Sequence, residues 1–138
     1  MNFWLWVEKE GGIDGEMIPG EEWCWEGCDY ETEEGDLILV YRTRPYKKIQ
    51  YLVKATSESR LEIRHLPDEI YKCNLVVLHD FGENSLSLDD MKQKDELKDW
   101  YPLKVSFVKM KFLVEEEYWR ILQKFLTKNS AETSALFE

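Results

Sequence analysis

Two neighbouring segments in the middle of the chain constrain its fold more than any other feature of the sequence. Leu37 to Tyr41 is an unbroken apolar run after a Gly-Asp pair, which is typical of a strand covered on both faces. Pro45 ends this run. Residues 49–55 then alternate, and one side of that segment carries Ile49, Tyr51, Val53 and Ala55. The two segments predict neighbouring antiparallel strands in a curled sheet or small barrel.

Weaker patterns on either side predict the remaining elements. Further strands are expected at Phe3–Val7, 61–64, 70–79 and Lys104–Phe112, with a short helix or turn around Trp23 and Trp25. A Ser-Asp capping pair predicts a short helix from Ser87 to about Lys94, and a helical apolar stripe begins at Glu115. Residues 1–128 are therefore predicted to form one mixed α/β domain, and residues 129–138 a flexible tail.

The charge of the chain is strongly acidic but unevenly distributed. The net charge of -10 disfavours general binding to phosphate backbones. From Glu8 to Asp36 the only base is Lys9, whereas from Arg42 to Lys72 eight bases stand against four acids. This pattern fits a local basic face that serves a selective reader, or alternatively the ordinary solvated faces of strands.

The sequence lacks the usual signatures of metal, membrane and catalytic sites. The three cysteines are an odd number, which indicates reduced thiols and a cytoplasmic protein. They lack the paired spacing of zinc sites, so no metal and no cofactor are expected. The apolar opening at Met1–Val7 is too short to span a membrane, and no catalytic motif is present.

Several segments, taken in order, resemble the EVE family. Gly35 to Pro45 resembles its signature strand, in which a Gly-Asp turn leads an apolar strand that ends in Tyr and a polar or basic pair. The segment 49–57 is similar to the partner strand. Further similar segments are the Trp25, Cys28 and Thr32 lead-in, Ser87–Lys92, Asp95–Trp100 and Glu116–Leu122. The resemblance spans Phe3 to about Leu126.

The resemblance implies a PUA-like small β-barrel, related to YTH and ASCH modules, with flanking short helices and a C-terminal helix. It also implies a non-catalytic module that holds a modified, methylated nucleobase of DNA or RNA in an aromatic pocket. Some such modules act beside a restriction or RNA-processing partner protein. The implied pocket residues are Trp6, Trp23, Trp25, Tyr41 and Thr43, and the implied backbone contacts are Arg42, Arg44, Lys47 and Lys48. Trp4 and Trp119 are expected in the core.

One segment departs from the family pattern, and two other functions stay open. Val7-Glu8-Lys9-Glu10 replaces a Lys-Ser-Glu-Pro sequence common in the family, and Glu8 repels phosphate there. The acidic segment from Asp14 to Asp36 is alternatively a surface for a basic partner protein. The third alternative is an RNA-modifying or nucleotide-hydrolysing protein of the ASCH type. The sequence does not determine the base, the modification or the oligomeric state.

Overall fold

The computed structural model describes residues 1–8, 16–65, 68–107, 111–128 and 130–138. The strands are β1 (Phe3–Glu8), β2 (Glu22–Glu26), β3 (Leu37–Arg42), β4 (Lys48–Ala55), β5 (Arg60–His65), β6 (Asp68–Asp80), β7 (Leu86–Ser87) and β8 (Lys111–Leu113). The helices are α1 (Leu88–Lys92), α2 (Tyr101–Lys104), α3 (Glu116–Thr127) and α4 (Ala131–Ala135), with a 3-10 turn at Gly82–Asn84. The fold is therefore mixed α/β, as predicted.

The two central segments pair as the sequence predicted. β3 and β4 are antiparallel, with Leu39 opposite Leu52 and Val40 opposite Tyr51. The register shifts after Val40, since Tyr41 then faces Ile49 and leaves Gln50 as an extra residue in β4. This bulge kinks the strand and redirects the side chains at that end of the sheet. β1 pairs parallel to β3 on its other side.

The sheet is mixed and strongly curled. Its order is β2-β6-β4-β3-β1-β8, with β5 paired to β6 and β7 paired to β4. In a flat sheet β2 and β1 would lie about 19 Å apart, four strand spacings. The rings of Trp6 in β1 and Trp25 in β2 are nevertheless 5.5 Å apart. The sheet therefore wraps around an inner face, although its described strands do not close into a ring.

The four helices of the described residues pack on the outer face of the curl or at its margin. In α3, Trp119, Leu122 and Leu126 are buried against the outer apolar residues of β1, β3 and β4. The ring of Trp119 stacks on Phe3 with 4.6 Å between centroids. The helix stripe predicted from the sequence is confirmed, and so is the burial of both Trp4 and Trp119. The inner face is left with a separate core of its own.

Three local predictions differ from the structure. The segment at Trp23 and Trp25 is strand β2, because it pairs along β6 rather than turning. The predicted strand at Lys104–Phe112 begins inside α2, where Pro102 takes an early helical position, and strand geometry is described only from Lys111. Residues 108–110 lie outside the described part. The expected C-terminal tail contains α4 and the fully buried Phe137.

Candidate functional site

Four tryptophans lie on the inner face of the curl, and the buried Trp4 is one of them. Alternation along β1 and β2 brings Trp6, Trp23 and Trp25 to this face, where they share one apolar cluster. Trp6 is fully buried, whereas Trp23 and Trp25 are partly exposed. The planes of Trp6 and Trp25 are tilted by 43°. The structure thus brings together the three tryptophans proposed from the sequence.

The indole N–H of Trp6 is a buried donor without an acceptor among the described residues. By contrast, the indole N–H of Trp4 on the same strand donates to Asp36 at 2.9 Å. An unpaired buried donor costs about 1–3 kcal/mol, so such groups are uncommon in folded proteins. Trp6 therefore presents an unused hydrogen-bond donor inside the aromatic cluster.

A buried polar network occupies the end of the inner face beyond Trp6. Arg42 Nε donates to Glu8 Oε2 at 3.2 Å, and Arg42 Nη1 donates to Gln50 Oε1 at 3.2 Å. Gln50 Nε2 in turn donates to Asp80 Oδ1 at 3.2 Å. Glu8, Arg42 and Gln50 are 5%, 2% and 4% exposed, so the ion pair is shielded from water. Two carboxylates and one guanidinium give this network a formal charge of -1.

Aromatic rings and a loop hold the Arg42 guanidinium in place. The ring of Tyr46 lies 3.7 Å from its carbon Cζ, and the ring of Tyr51 lies 5.8 Å from it. The Tyr51 hydroxyl accepts a hydrogen bond from the backbone N–H of Met17, and burial raises the pKa of this phenol. The Thr43 hydroxyl donates to the carbonyl of Glu8 at 3.1 Å. The end of the sheet is therefore preorganised.

Asp80 offers the network's free acceptor. Its Oδ1 accepts from Gln50 and from the backbone N–H of Gly82. Its other oxygen has no partner within the described ranges, and the side chain is partly exposed. Since Asp80 stands opposite Tyr51, it faces the same interior as Trp6. The inner face therefore carries one unpaired donor, at Trp6, and one acceptor, at Asp80, three strands away from it.

Two thiols line the same face. Cys28 and Cys73 are fully buried in the inner cluster, and Lys111 Nζ donates to the carbonyl of Cys28 at 3.2 Å. A hydrogen bond from Cys73 and the charge of Lys111 lower the pKa of Cys28, whereas the same thiol contact and burial raise the pKa of Cys73. Cys24 is exposed on the other side of β2. The sequence-based expectation of buried thiols applies to two of the three cysteines.

Tyr41 and Arg42 lie differently from the positions that the sequence suggested. Tyr41 points to the outer face, where it stacks on Phe107 at 4.1 Å and burial raises its pKa to about 12. It is therefore on the opposite side of the sheet from Trp25. Arg42 points inward and is 2% exposed, so it contributes to the buried network rather than to an open basic surface.

The remaining predicted contacts form a rim at the same end of the sheet. Arg44 and Lys47 are exposed in the turn between β3 and β4, and Lys48 is half-buried at the start of β4. Thr43 is also half-buried. We define the basic rim as Arg44, Lys47 and Lys48. It lies directly beyond the buried network, because Arg42 is the last residue of β3.

Gln50 and Asp80 were not identified from the sequence, and Glu8 was considered only as an obstacle to phosphate. The only sequence signal was polar residues in otherwise apolar strands, which is weak evidence of burial. Within the described ranges no group of three or more His, Cys, Asp or Glu side chains could hold a metal ion. Nor does any described helix have the length and apolar character needed to cross a bilayer.

Comparison with known proteins shows the fold but no family. No protein-family model matches the chain, and no curated protein matches it. Among solved structures, Rpa0253 from Rhodopseudomonas palustris is similar over 96% of this chain and 97% of its own, with TM-score 0.78 and 15% identity. Atu2648 from Agrobacterium tumefaciens is similar over 91% of this chain and 93% of its own, with TM-score 0.67 and 21% identity. At these identities the likeness concerns the fold alone, and these names state no activity.

A third similar structure comes from another bacterial genus. A Pseudomonas putida protein is similar over 90% of this chain and 99% of its own, with TM-score 0.71 and 14% identity. The similar architecture therefore extends over nearly the whole length of each chain.

Proposed function

We propose that this chain is a non-catalytic nucleic-acid-binding module of the EVE type, with a PUA-like barrel, that recognises a modified base on the inner face of its sheet. The observation that carries the proposal is the unpaired, buried N–H of Trp6 beside two partly exposed tryptophans. Indole rings provide stacking surfaces for a base, and a methyl group gains about 0.8 kcal/mol when it is buried among them. The N–H provides a directional contact to a ring nitrogen or carbonyl oxygen.

The buried network supplies the complementary contact. Exocyclic amino groups of adenine and cytosine are donors, and carboxylate or amide oxygens accept from them. The free oxygen of Asp80 lies at the end of the interior that Trp6 lines. In this proposal an acceptor of the base pairs with the Trp6 N–H, and an exocyclic amino group of the bound nucleic acid pairs with Asp80. Phosphate is disfavoured there by the two carboxylates, and it belongs at the basic rim.

Entry of a base requires movement of one side chain. Trp6 and Trp25 are in contact, so a base reaches the Trp6 N–H only when Trp25 rotates outward. Trp25 is partly exposed and lies on β2, which is paired only with β6 in the described sheet. Extraction of a base from a duplex costs a few kcal/mol, which favours single-stranded or weakly paired substrates. Binding should therefore change tryptophan fluorescence.

Replacement of Trp25 tests the proposed pocket. Trp25→Ala is expected to weaken binding of an oligonucleotide with one methylated base by about 1–3 kcal/mol, because a stacking surface is lost. The affinity for the unmodified oligonucleotide should fall by a smaller amount. The measurement is a titration of wild type and variant, at low and moderate salt, with single-stranded DNA and RNA that differ in one methyl group.

Replacement of Trp6 tests the proposed hydrogen-bond donor in the same titration. Trp6→Phe keeps an aromatic ring but removes the N–H, so affinity should fall by about 0.5–1.5 kcal/mol. The fall should be greatest for the base whose acceptor Trp6 contacts. If a buried water alone satisfies this N–H, the variant will bind all oligonucleotides like wild type. If wild type binds no oligonucleotide, or chemically changes one, the proposal of a non-catalytic reader is wrong.

The basic rim is expected to contact phosphates. Arg44→Glu combined with Lys47→Glu should weaken binding of every oligonucleotide and reduce the slope of log affinity against log salt by about 0.7–0.9 for each lost contact. Preference for the methylated base should be unchanged, because the inner face is intact. The matched control is Lys92→Glu with Lys98→Glu, which reverses two exposed charges on the helical side. Equal losses in both double variants would indicate a general charge effect.

A further inference from the structure

The turn between β3 and β4 places one aromatic ring within the basic rim. Residues 44–47 are all exposed, and Tyr46 keeps 47% of its surface accessible to solvent. In the sequence it stands between Arg44 and the two lysines of the rim, and residues 43–57 contain no Asp or Glu. In a chain with a net charge of -10, this turn therefore combines positive charge with an exposed ring.

The ring of Tyr46 covers the buried guanidinium of Arg42 with one of its faces. Arg42 Cζ lies over the ring, 3.7 Å from the ring centroid, so the guanidinium packs directly against that face. This side of the ring is shielded from solvent, because Arg42 is only 2% exposed. The accessible part of Tyr46 therefore belongs to the opposite face and to the ring edge. That opposite face is open to a flat ligand.

Hydrogen bonds on both sides of the turn hold this ring in place. The backbone N–H groups of Tyr46 and Lys47 both donate to the carbonyl of Thr43, at 3.0 Å and 3.3 Å. The Thr43 hydroxyl fixes the turn to β1 through the carbonyl of Glu8. On the other side, the carbonyl of Lys47 accepts from the N–H of Leu88 at 2.9 Å. A ligand that stacks on Tyr46 therefore meets a preorganised surface, which reduces the entropic cost of binding.

We propose that Tyr46 is a stacking platform for an unpaired nucleobase that flanks the base held on the inner face, so that this module binds a single-stranded segment. Every nucleobase has a π-face that stacks on an aromatic ring, and the cations of the basic rim suit the phosphates beside it. In an intact duplex the flanking bases stay stacked on one another and do not reach a side chain. This inference rests on the proposed nucleic-acid binding, but it requires neither a methyl group nor the inner-face tryptophans.

A scan with abasic nucleotides locates the platform. The probes are short single-stranded DNA and RNA oligonucleotides with one central methylated adenine or cytosine, in which each flanking nucleotide is replaced in turn by an abasic one. We expect one flanking position to lower the affinity of wild type on the order of tenfold, because the stacked base is lost. The fully paired duplex of the same sequence should bind at least as weakly as that abasic strand. Equal affinity for every abasic strand, or a duplex that binds like the intact single strand, would overturn the proposal.

Replacement of Tyr46 separates stacking from a structural role. Tyr46→Leu removes the flat ring but keeps an apolar cover over Arg42, so the sensitive abasic position should lose its effect in this variant. If Tyr46 only shields Arg42, the abasic penalty will stay as large as in wild type, and the platform is wrong. Tyr46→Phe should bind like wild type, because stacking does not need the hydroxyl. The matched control is Tyr30→Leu at another exposed tyrosine outside the basic rim, which should leave the scan unchanged.

Failure of this platform is distinguishable from failure of the inner-face pocket. Tyr46→Leu should lower the affinities for methylated and unmodified oligonucleotides by the same factor, whereas Trp25→Ala should change their ratio. A Tyr46-dependent abasic effect without preference for the methylated base would contradict the pocket and support the platform. Preference for the methylated base without any abasic effect would contradict the platform alone. If wild type binds no oligonucleotide, both proposals are wrong.

Discussion

Arg42→Met is expected to lower the free energy of unfolding by about 3–5 kcal/mol, because it leaves the carboxylate of Glu8 buried without the guanidinium. Both side chains are almost fully shielded, and Arg42 also bonds Gln50 and packs on Tyr46. The measurement is urea unfolding followed by tryptophan fluorescence. An exposed arginine serves as control, since Arg44→Met should change stability by no more than about 0.5 kcal/mol.

The double variant Glu8→Gln with Arg42→Met identifies the source of that loss. If the cost arises from an uncompensated buried charge, removal of both charges should restore much of the stability that Arg42→Met loses. If both variants are equally unstable, packing against Tyr46 and Tyr51 is the larger contribution. A stability of Arg42→Met close to that of Arg44→Met would contradict the burial of the ion pair.

The buried network around Arg42 shows why only part of the site could be predicted from the sequence. Successive side chains of a strand point to opposite faces, so Tyr41 and Arg42 lie on opposite sides of the sheet. This alternation does not reveal which side becomes the interior. The sequence resemblance implied that Tyr41 lies with Trp25 in the pocket and that Arg42 contacts the nucleic-acid backbone. The curl of the sheet turns the face that carries Val40 and Arg42 inward, which reverses that assignment. This curl depends on long-range pairing.

The fold was predicted best where local pattern and tertiary environment agree. β3 is a continuous apolar run, and β4 and α3 carry strong periodicity, so their pairing or packing followed from the local sequence pattern. β2 also alternates, with Trp23 and Trp25 on one side and glutamates on the other. Its glycine-rich and acidic surroundings favoured a turn, whereas hydrogen bonding to β6 determines the strand. Tertiary pairing overrides weak local preference here.

The C-terminus was the other region where the local signal was insufficient. Residues after 129 are small and polar apart from a few apolar side chains, which is typical of a tail. In the structure the Ser130 hydroxyl accepts from the backbone N–H of Thr133 and caps α4. This short helix directs Phe137 back to the outer core, a contact that no periodic pattern encodes.

Phe137→Ala is therefore expected to lower the free energy of unfolding by about 3–5 kcal/mol, the usual cost of removing a buried aromatic side chain. Its ring is fully buried, 5.5 Å from the ring of Trp119 and 6.1 Å from that of Phe81. Loss of this ring leaves a cavity between α3 and the end of β6. Urea unfolding monitored by fluorescence reports the change directly, because Trp119 is one wall of that cavity.

Two comparisons decide whether the effect arises from the contact of Phe137 with the core. Glu138→Ala, at the exposed neighbouring position, should leave the unfolding midpoint unchanged. A chain that ends at residue 129 should be at least as unstable as Phe137→Ala, because it loses α4 as well as the ring. If Phe137→Ala and the shortened chain both unfold like wild type, the last nine residues are a tail and the outer core is complete without them. If only the shortened chain is unstable, α4 stabilises α3 through contacts such as Gln123 Nε2 to Ser134 Oγ at 2.7 Å rather than through the buried ring.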